Sequence, residues 1–214
     1  MVRPSIPRGF SLKSVRNGDT LTVYVPEFND SGTGRWSFSE LPAFGGEGGA
    51  STATANNSGL DTATAVLYRN GKQIAASNNG AWGNSEVPPG KATYKLDLTT
   101  ARESDDWHFA TDANTSWTFH SDTATRATML PRLQLDYVVP VDAKNAVDRA
   151  RTHKVGFNVR MKDGMPAPRG VNLKAEASYE DGKNWTTAHA ARRGSDGQFI
   201  AKLLRPSTYT ATRT

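Results

Sequence analysis

Apolar and polar side chains take turns along much of this chain, and that period of two constrains the fold more than any other feature. Leu21, Val23 and Val25 stand two apart. Tyr94, Leu96 and Leu98 alternate with Lys95 and Asp97. The spacing returns at Leu133, Leu135, Tyr137 and Val139, and again at Val155, Phe157, Val159 and Met161. Val171, Leu173, Ala175, Ala177 and Tyr179 alternate with Asn172, Lys174, Glu176 and Ser178. Successive side chains of an extended strand point to opposite faces, so each run predicts a strand with one face in a core and one in water. One wet face per strand is the mark of antiparallel sheets.

Turn chemistry punctuates these runs. Asn70-Gly71 separates Ala65–Arg69 from Lys72–Ala76, and Asn-Gly takes the positive φ angles of a tight hairpin. Asp181-Gly182 plays the same part between Val171–Tyr179 and Trp185–Ala190. Asn17-Gly18-Asp19, Pro88-Pro89-Gly90, Asp163-Gly164 and Gly194-Ser195-Asp196-Gly197 supply further turns. Many short strands between polar turns predict an all-β fold, two tandem antiparallel β-sandwich domains. A polar stretch around Ala124 to Pro131 sets the expected boundary, with one domain over 1–128 and the other over 129–214. Ala43 to Gly59 holds almost nothing to bury and reads as a long exposed loop; Ala143 to Arg151 is the one helix-compatible piece.

Composition narrows the class. Two domains of roughly 100 residues each can still bury a usable core. No stretch approaches the roughly 20 apolar residues of a membrane helix. The 214 residues include no cysteine, which suits an extracytoplasmic protein that avoids stray thiol oxidation. The N-terminus carries Arg3 and Arg8 without an apolar run behind them, so secretion would require a leader elsewhere. The net charge of +5 is dispersed; its densest stretch is Arg149, Arg151, His153 and Lys154, with Arg192-Arg193 further on. Nucleic-acid binders concentrate charge in a stripe interleaved with aromatics, so the expected partners exclude nucleic acid, and membrane as well.

Reactive groups are present without the settings that would make them work. Asp30-Ser31-Gly32 has the form of a subtilisin-type aspartate motif, but none of His108, His120, His153 and His189 stands in a His-Gly-Thr context, and no Gly-Thr-Ser-Met-Ala occurs. A catalytic site is therefore not expected. No His-x-x-x-His pair suggests zinc. Glu103, Asp105 and Asp106 are the calcium candidates, though they lack the repeating Asp-x-Asp-x-Asp-Gly spacing; no other cofactor is expected. Among the five tryptophans, Trp117 shares a face with Phe119 and belongs to a core, and Trp185 follows a turn and packs over its hairpin. Trp36, Trp82 and Trp107 sit in polar, Gly-rich or acidic surroundings and are the candidate ligand-binding residues.

Ser178-Tyr179-Glu180-Asp181-Gly182-Lys183-Asn184-Trp185 resembles the sialidase Asp-box, S-x-D-x-G-x-T-W, at its Ser, Gly and Trp positions; Glu180 and Asn184 depart from it. That likeness implies a hairpin turn and no catalysis. Over most of its length the chain resembles the C-terminal accessory region of secreted actinobacterial subtilisin-like serine peptidases. The resemblance rests on Gly18-Asp19-Thr20-Leu21-Thr22-Val23, Leu67-Tyr68-Arg69-Asn70-Gly71-Lys72, Val87-Pro88-Pro89-Gly90-Lys91-Ala92-Thr93-Tyr94 and Trp117-Thr118-Phe119. The first half is similar to pre-peptidase C-terminal domains, the second to fibronectin-III or immunoglobulin-like modules. The resemblance implies a non-catalytic extracellular accessory module whose partner is a protein, either a protease catalytic domain or a protein substrate. A carbohydrate-binding module with a polysaccharide ligand and a self-assembling structural subunit are the alternatives.

Overall fold

The computed structural model describes residues 12–29, 36–37, 61–78, 80–102, 112–142, 147, 150–180, 182–194 and 197–204. Among them the chain is all-β, built of antiparallel sheets and without a helix. It divides into two units, Met1–Gln134 with Lys162–Gly164, and Leu135–Met161 with Met165–Thr214. The expected loop Ala43 to Gly59 and most of Ala143 to Arg151 lie outside the described residues.

The first unit contains β1 (Val15–Gly18), β2 (Thr20–Tyr24), β3 (Phe28–Asn29), β4 (Trp36–Ser37), β5 (Asp61–Arg69), β6 (Lys72–Ser77), β7 (Trp82–Glu86), β8 (Ala92–Arg102), β9 (Asp112–Ser121) and β10 (Ala124–Met129). One sheet runs β10-β1-β2-β7, a second β6-β5-β8-β9, and β3 pairs with β4. The alternation decides what meets between the two larger sheets. Leu21 and Val23 from β2 join Ala65 and Leu67 from β5, Leu96 and Leu98 from β8, and Trp117 and Phe119 from β9 in one buried cluster. Tyr94, fully buried, stacks on Phe119 with ring centroids 5.8 Å apart. Each large apolar side chain so buried contributes about 1.5–3 kcal/mol relative to exposure. The Asn-Gly turn forms as its residues require: Asn70 has φ 50° and Gly71 φ 82°, closing β5 onto β6.

The division falls after Gln134 rather than after residue 128, and pairing explains why. β10 is bonded to β1 with Val15 opposite Met129. Beyond it the Leu130 amide donates to the Ser14 carbonyl, and Trp117 Nε1 donates to the Leu133 carbonyl at 3.0 Å. These bonds hold 129–134 against the first unit and reverse the expected alternation there. Gln134 is buried while Leu133 is 46% exposed.

Two buried arginines in this unit differ in what surrounds them. Arg16 is 1% exposed. Its Nε donates to the Gly18 carbonyl at 2.7 Å, Nη2 reaches Asp19 Oδ1 at 2.9 Å and the Pro88 carbonyl at 3.4 Å, and Nη1 reaches Tyr94 Oη at 3.4 Å. Thr123 Oγ1 donates to the same Asp19 oxygen and accepts the Gly90 amide, so three turns are tied at one end of the unit. Arg132 donates through Nη2 to Ser14 Oγ at 2.6 Å and lies 5.4 Å from the Trp117 ring centre. Its Nε and Nη1 find no acceptor among the described residues, and burial pushes its pKa down to about 10.

The second unit contains β11 (Gln134–Val138, whose first residue belongs to the first unit), β12 (Thr152–Arg160), β13 (Ala175–Ala177), β14 (Thr186–Arg192) and β15 (Gln198–Leu204), ordered β11-β12-β15-β14-β13. Val155, Val159, Val171, Ala188, Phe199 and Ala201 are buried among its described residues, and Leu135, Phe157 and Leu173 pack against the cluster of Val159, Val171 and Phe199. Arg160 Nε meets Asp136 Oδ2 at 2.8 Å, joining β11 to β12. The expected strand from Val171 to Tyr179 is cut to Ala175–Ala177. Val171 and Leu173 still supply core side chains, and Arg192 anchors the Val171 carbonyl at 2.7 Å. The turn that follows closes β13 onto β14 as a hairpin, and side chains organise it. Ser178 Oγ accepts the amides of Glu180 and Gly182, and Trp185 Nε1 donates to the Gly182 carbonyl at 2.9 Å. Gly197 is needed where it stands: its φ is +89°, and a Cβ there would run into the Val159 carbonyl oxygen.

The contrast between the arginines is testable by urea unfolding of single variants. Arg16→Met removes charged hydrogen bonds made from a buried guanidinium and should cost about 2–4 kcal/mol. Arg132→Met exchanges a poorly partnered buried cation for apolar volume and should leave stability unchanged or raise it. Equal losses from both would contradict the distinction.

Candidate binding surfaces

The residues that the sequence singles out fall mostly at the margins of what is described. Trp36 opens β4 opposite Asn29, and Trp82 opens β7 opposite Tyr24. The side chains of both lie outside the described residues, as do Trp107, the acidic residues Glu103, Asp105 and Asp106, and the Asp30-Ser31-Gly32 segment. Three histidines are described, each on its own strand: His120 in β9, His153 in β12 and His189 in β14. Among the described residues no three of His, Asp and Glu gather as metal ligands would.

Two surfaces do carry organised polar groups. The first is the outer face of β5, β8 and β9. The registers set Tyr68 beside Lys95 and Lys95 beside Thr118, Val66 beside Asp97 and Asp97 beside Ser116, and Thr64 beside Thr99 and Thr99 beside Asn114. Side chains in these rows bond to one another. Ser116 Oγ donates to Asp97 Oδ1 at 2.6 Å, Lys95 Nζ to Asp97 Oδ2 at 2.7 Å, and Thr99 Oγ1 to Asn114 Oδ1 at 2.7 Å. Thr93 Oγ1 lies 3.1 Å from His120 Nδ1, and Lys95 Nζ stands 5.4 Å from the centre of the Tyr68 ring. The bond to Asp97 holds the Lys95 ammonium above its ordinary pKa of 10.5 against a desolvation cost, with the Asp97 charge and Tyr68 adding to the rise. Partial burial alone would raise the Asp97 carboxyl, but the bonds from Lys95 and Ser116 and the lysine charge outweigh it and hold the group below 3.8.

The second surface arises because β14 changes partner along its length. Thr186, Thr187 and Ala188 pair with β13, whereas His189 to Arg192 pair with β15. A groove of about 420 Å³ lies where the pairing changes. Thr186, Ala188 and Tyr179 line it from the β13–β14 part, and Lys154, Lys202 and Leu204 from β12 and β15. At its border Lys154 stands directly opposite Lys202, and Lys202 directly opposite His189. All three side chains are exposed. The sequence shows each of them on the polar phase of its strand. It does not show that β12, β15 and β14 are neighbours, and the row exists only through that order.

Sign decides the pH behaviour of the first surface. A carboxyl held below 3.8 adds stability at higher pH and loses it as pH falls through its folded pKa. An ammonium held above 10.5 adds stability at lower pH and loses it as pH rises past that value. Asp97→Asn should therefore flatten the stability profile at both extremes in thermal melts taken across pH; a profile unchanged by the substitution would contradict the pairing. The chain matches no protein-family model, no curated protein and no solved structure.

Proposed function

We propose that this chain is a non-catalytic extracellular accessory module, one that stabilises or targets a secreted protease or contacts its protein substrate. The observation that carries the reading is the outer face of β5, β8 and β9. Its hydroxyls, its amide and its Lys95–Asp97 pair are held by one another on a sheet whose other face is the core. Such a face offers donors and acceptors without further ordering, which lowers the entropy lost on association. Tyr68 and Val66 add apolar surface among these polar groups, a mixture typical of non-obligate protein contacts. The absence of cysteine from the whole sequence and the likeness to peptidase accessory regions favour an extracellular setting. The sequence also lacks the histidine and serine contexts that subtilisin-like chemistry uses.

The groove in the second unit favours a second reading, that of a carbohydrate-binding module. Tyr179 and the small side chains Ala177 and Ala188 line it beside two lysines, a combination that suits a sugar ring carrying charge.

Depletion from solution tests the accessory reading. The purified chain is mixed with insoluble casein, collagen, chitin and cellulose, and the fraction retained is measured. Retention on a protein matrix that weakens at least tenfold in a Tyr68→Ala/Lys95→Ala variant is the expected result. Equal retention of both forms, or hydrolysis of casein by the purified chain that tracks a single Ser or His, would overturn it.

A further inference from the structure

The net positive charge of this protein belongs to one of its units. The first unit holds thirteen Lys and Arg against fourteen Asp and Glu, the second thirteen against seven, which together give the net +5. Within that basic second unit the row Lys154–Lys202–His189 crosses three adjacent strands. Neighbouring strands lie about 4.8 Å apart, so the row spans about 10 Å. Like charges directly opposite each other on a sheet destabilise it. Neither Lys154 nor Lys202 forms an ion pair among the described residues, in contrast to Lys174, which meets Glu176 at 2.9 Å. Among the described residues this cationic pair at the border of a groove therefore has no ion-pair partner.

We infer that this groove binds an anionic saccharide, a uronate chain, with Lys154, Lys202 and His189 receiving its carboxylates. The inference deepens the second reading, that of a carbohydrate-binding module, and rests on it, by naming the polymer the groove would hold. A volume of about 420 Å³ falls within the usual range of ligand sites, about 300–1,000 Å³. The spacing of the row is comparable with the length of one sugar ring. The aliphatic and methyl-bearing walls and the Tyr179 ring suit the apolar face of a pyranose. A nucleic acid fits less well, because its surfaces interleave several aromatics along a longer basic track, and one aromatic lies here. An acidic peptide would add to a free strand edge, and the edge strand beside the groove, β13, is three residues long.

Isothermal titration of the full chain at low ionic strength tests the inference, with polygalacturonate oligomers as the probe. Neutral dextran, polyglutamate and single-stranded DNA are the comparisons. The expected result is binding to the polyuronate that weakens with added salt and weakens at least tenfold in Lys154→Gln/Lys202→Gln, whereas Lys72→Gln, at an exposed lysine of the other unit, binds unchanged. The polyuronate should raise the thermal midpoint of the unaltered chain and not that of the double variant. The double variant without ligand should melt no lower than the unaltered chain, because it has lost a repulsion. No binding of the polyuronate, unchanged binding by the double variant, or equal binding of polyglutamate or DNA would overturn the inference. Such a failure beside retention on chitin or cellulose would leave the carbohydrate-binding reading standing; loss of both would remove it too.

Discussion

The first unit depends on the pleat of β8. Its eleven residues are bonded to β5 on one side and β9 on the other, and every second side chain enters the core. Tyr94, Leu96 and Leu98 meet the inward residues of β2 across the sandwich, and Lys95, Asp97 and Thr99 face outward. A shift of one residue would exchange the two sets, placing a charged pair in the core and three large apolar groups in water. Core packing and the ordered outer face are thus two consequences of a single register.

Polar groups complete what the pleat begins. Arg16 is buried with its partners fixed around it, so the turns at Asp19, Pro88–Gly90 and Thr123 are held to one another through a single guanidinium and a single carboxylate. Ser14 serves a comparable purpose, exchanging bonds with the backbone of Tyr24 and receiving Arg132. The second unit has less to draw on. Among the described residues six apolar side chains are buried in it against fifteen in the first unit, and the Asp136–Arg160 pair adds an ionic contact between β11 and β12. The groove in the second unit lies where β14 changes partner.

Much of the architecture was legible because strand and turn chemistry are local. The alternation at 94–98 and 155–159, the Asn70-Gly71 hairpin and the inward pairing of Trp117 with Phe119 follow from neighbouring residues alone. The departures occur where distant partners decide. Gln134 is buried and Leu133 exposed because Trp117 and Ser14 hold 130–134 against the first unit. Val171 and Leu173 enter a core without being in a strand, since Arg192 fixes the Val171 carbonyl from another part of the sheet. The basic row was illegible for the same reason. Lys154, His189 and Lys202 are far apart in sequence, and only the order of β12, β15 and β14 makes them adjacent. Loop tryptophans attract notice in a sequence because they are large and rare, whereas a row of common lysines leaves no local sign.

Amide hydrogen exchange tests the central place of β8 most directly. If the sandwich is organised around that strand, its amides and those of β5 facing it should exchange slowest in the chain, close to the rate of global unfolding, and the edge strands β6 and β10 should exchange faster. Amides of β8 that exchange as fast as those of β6 and β10 would contradict the account.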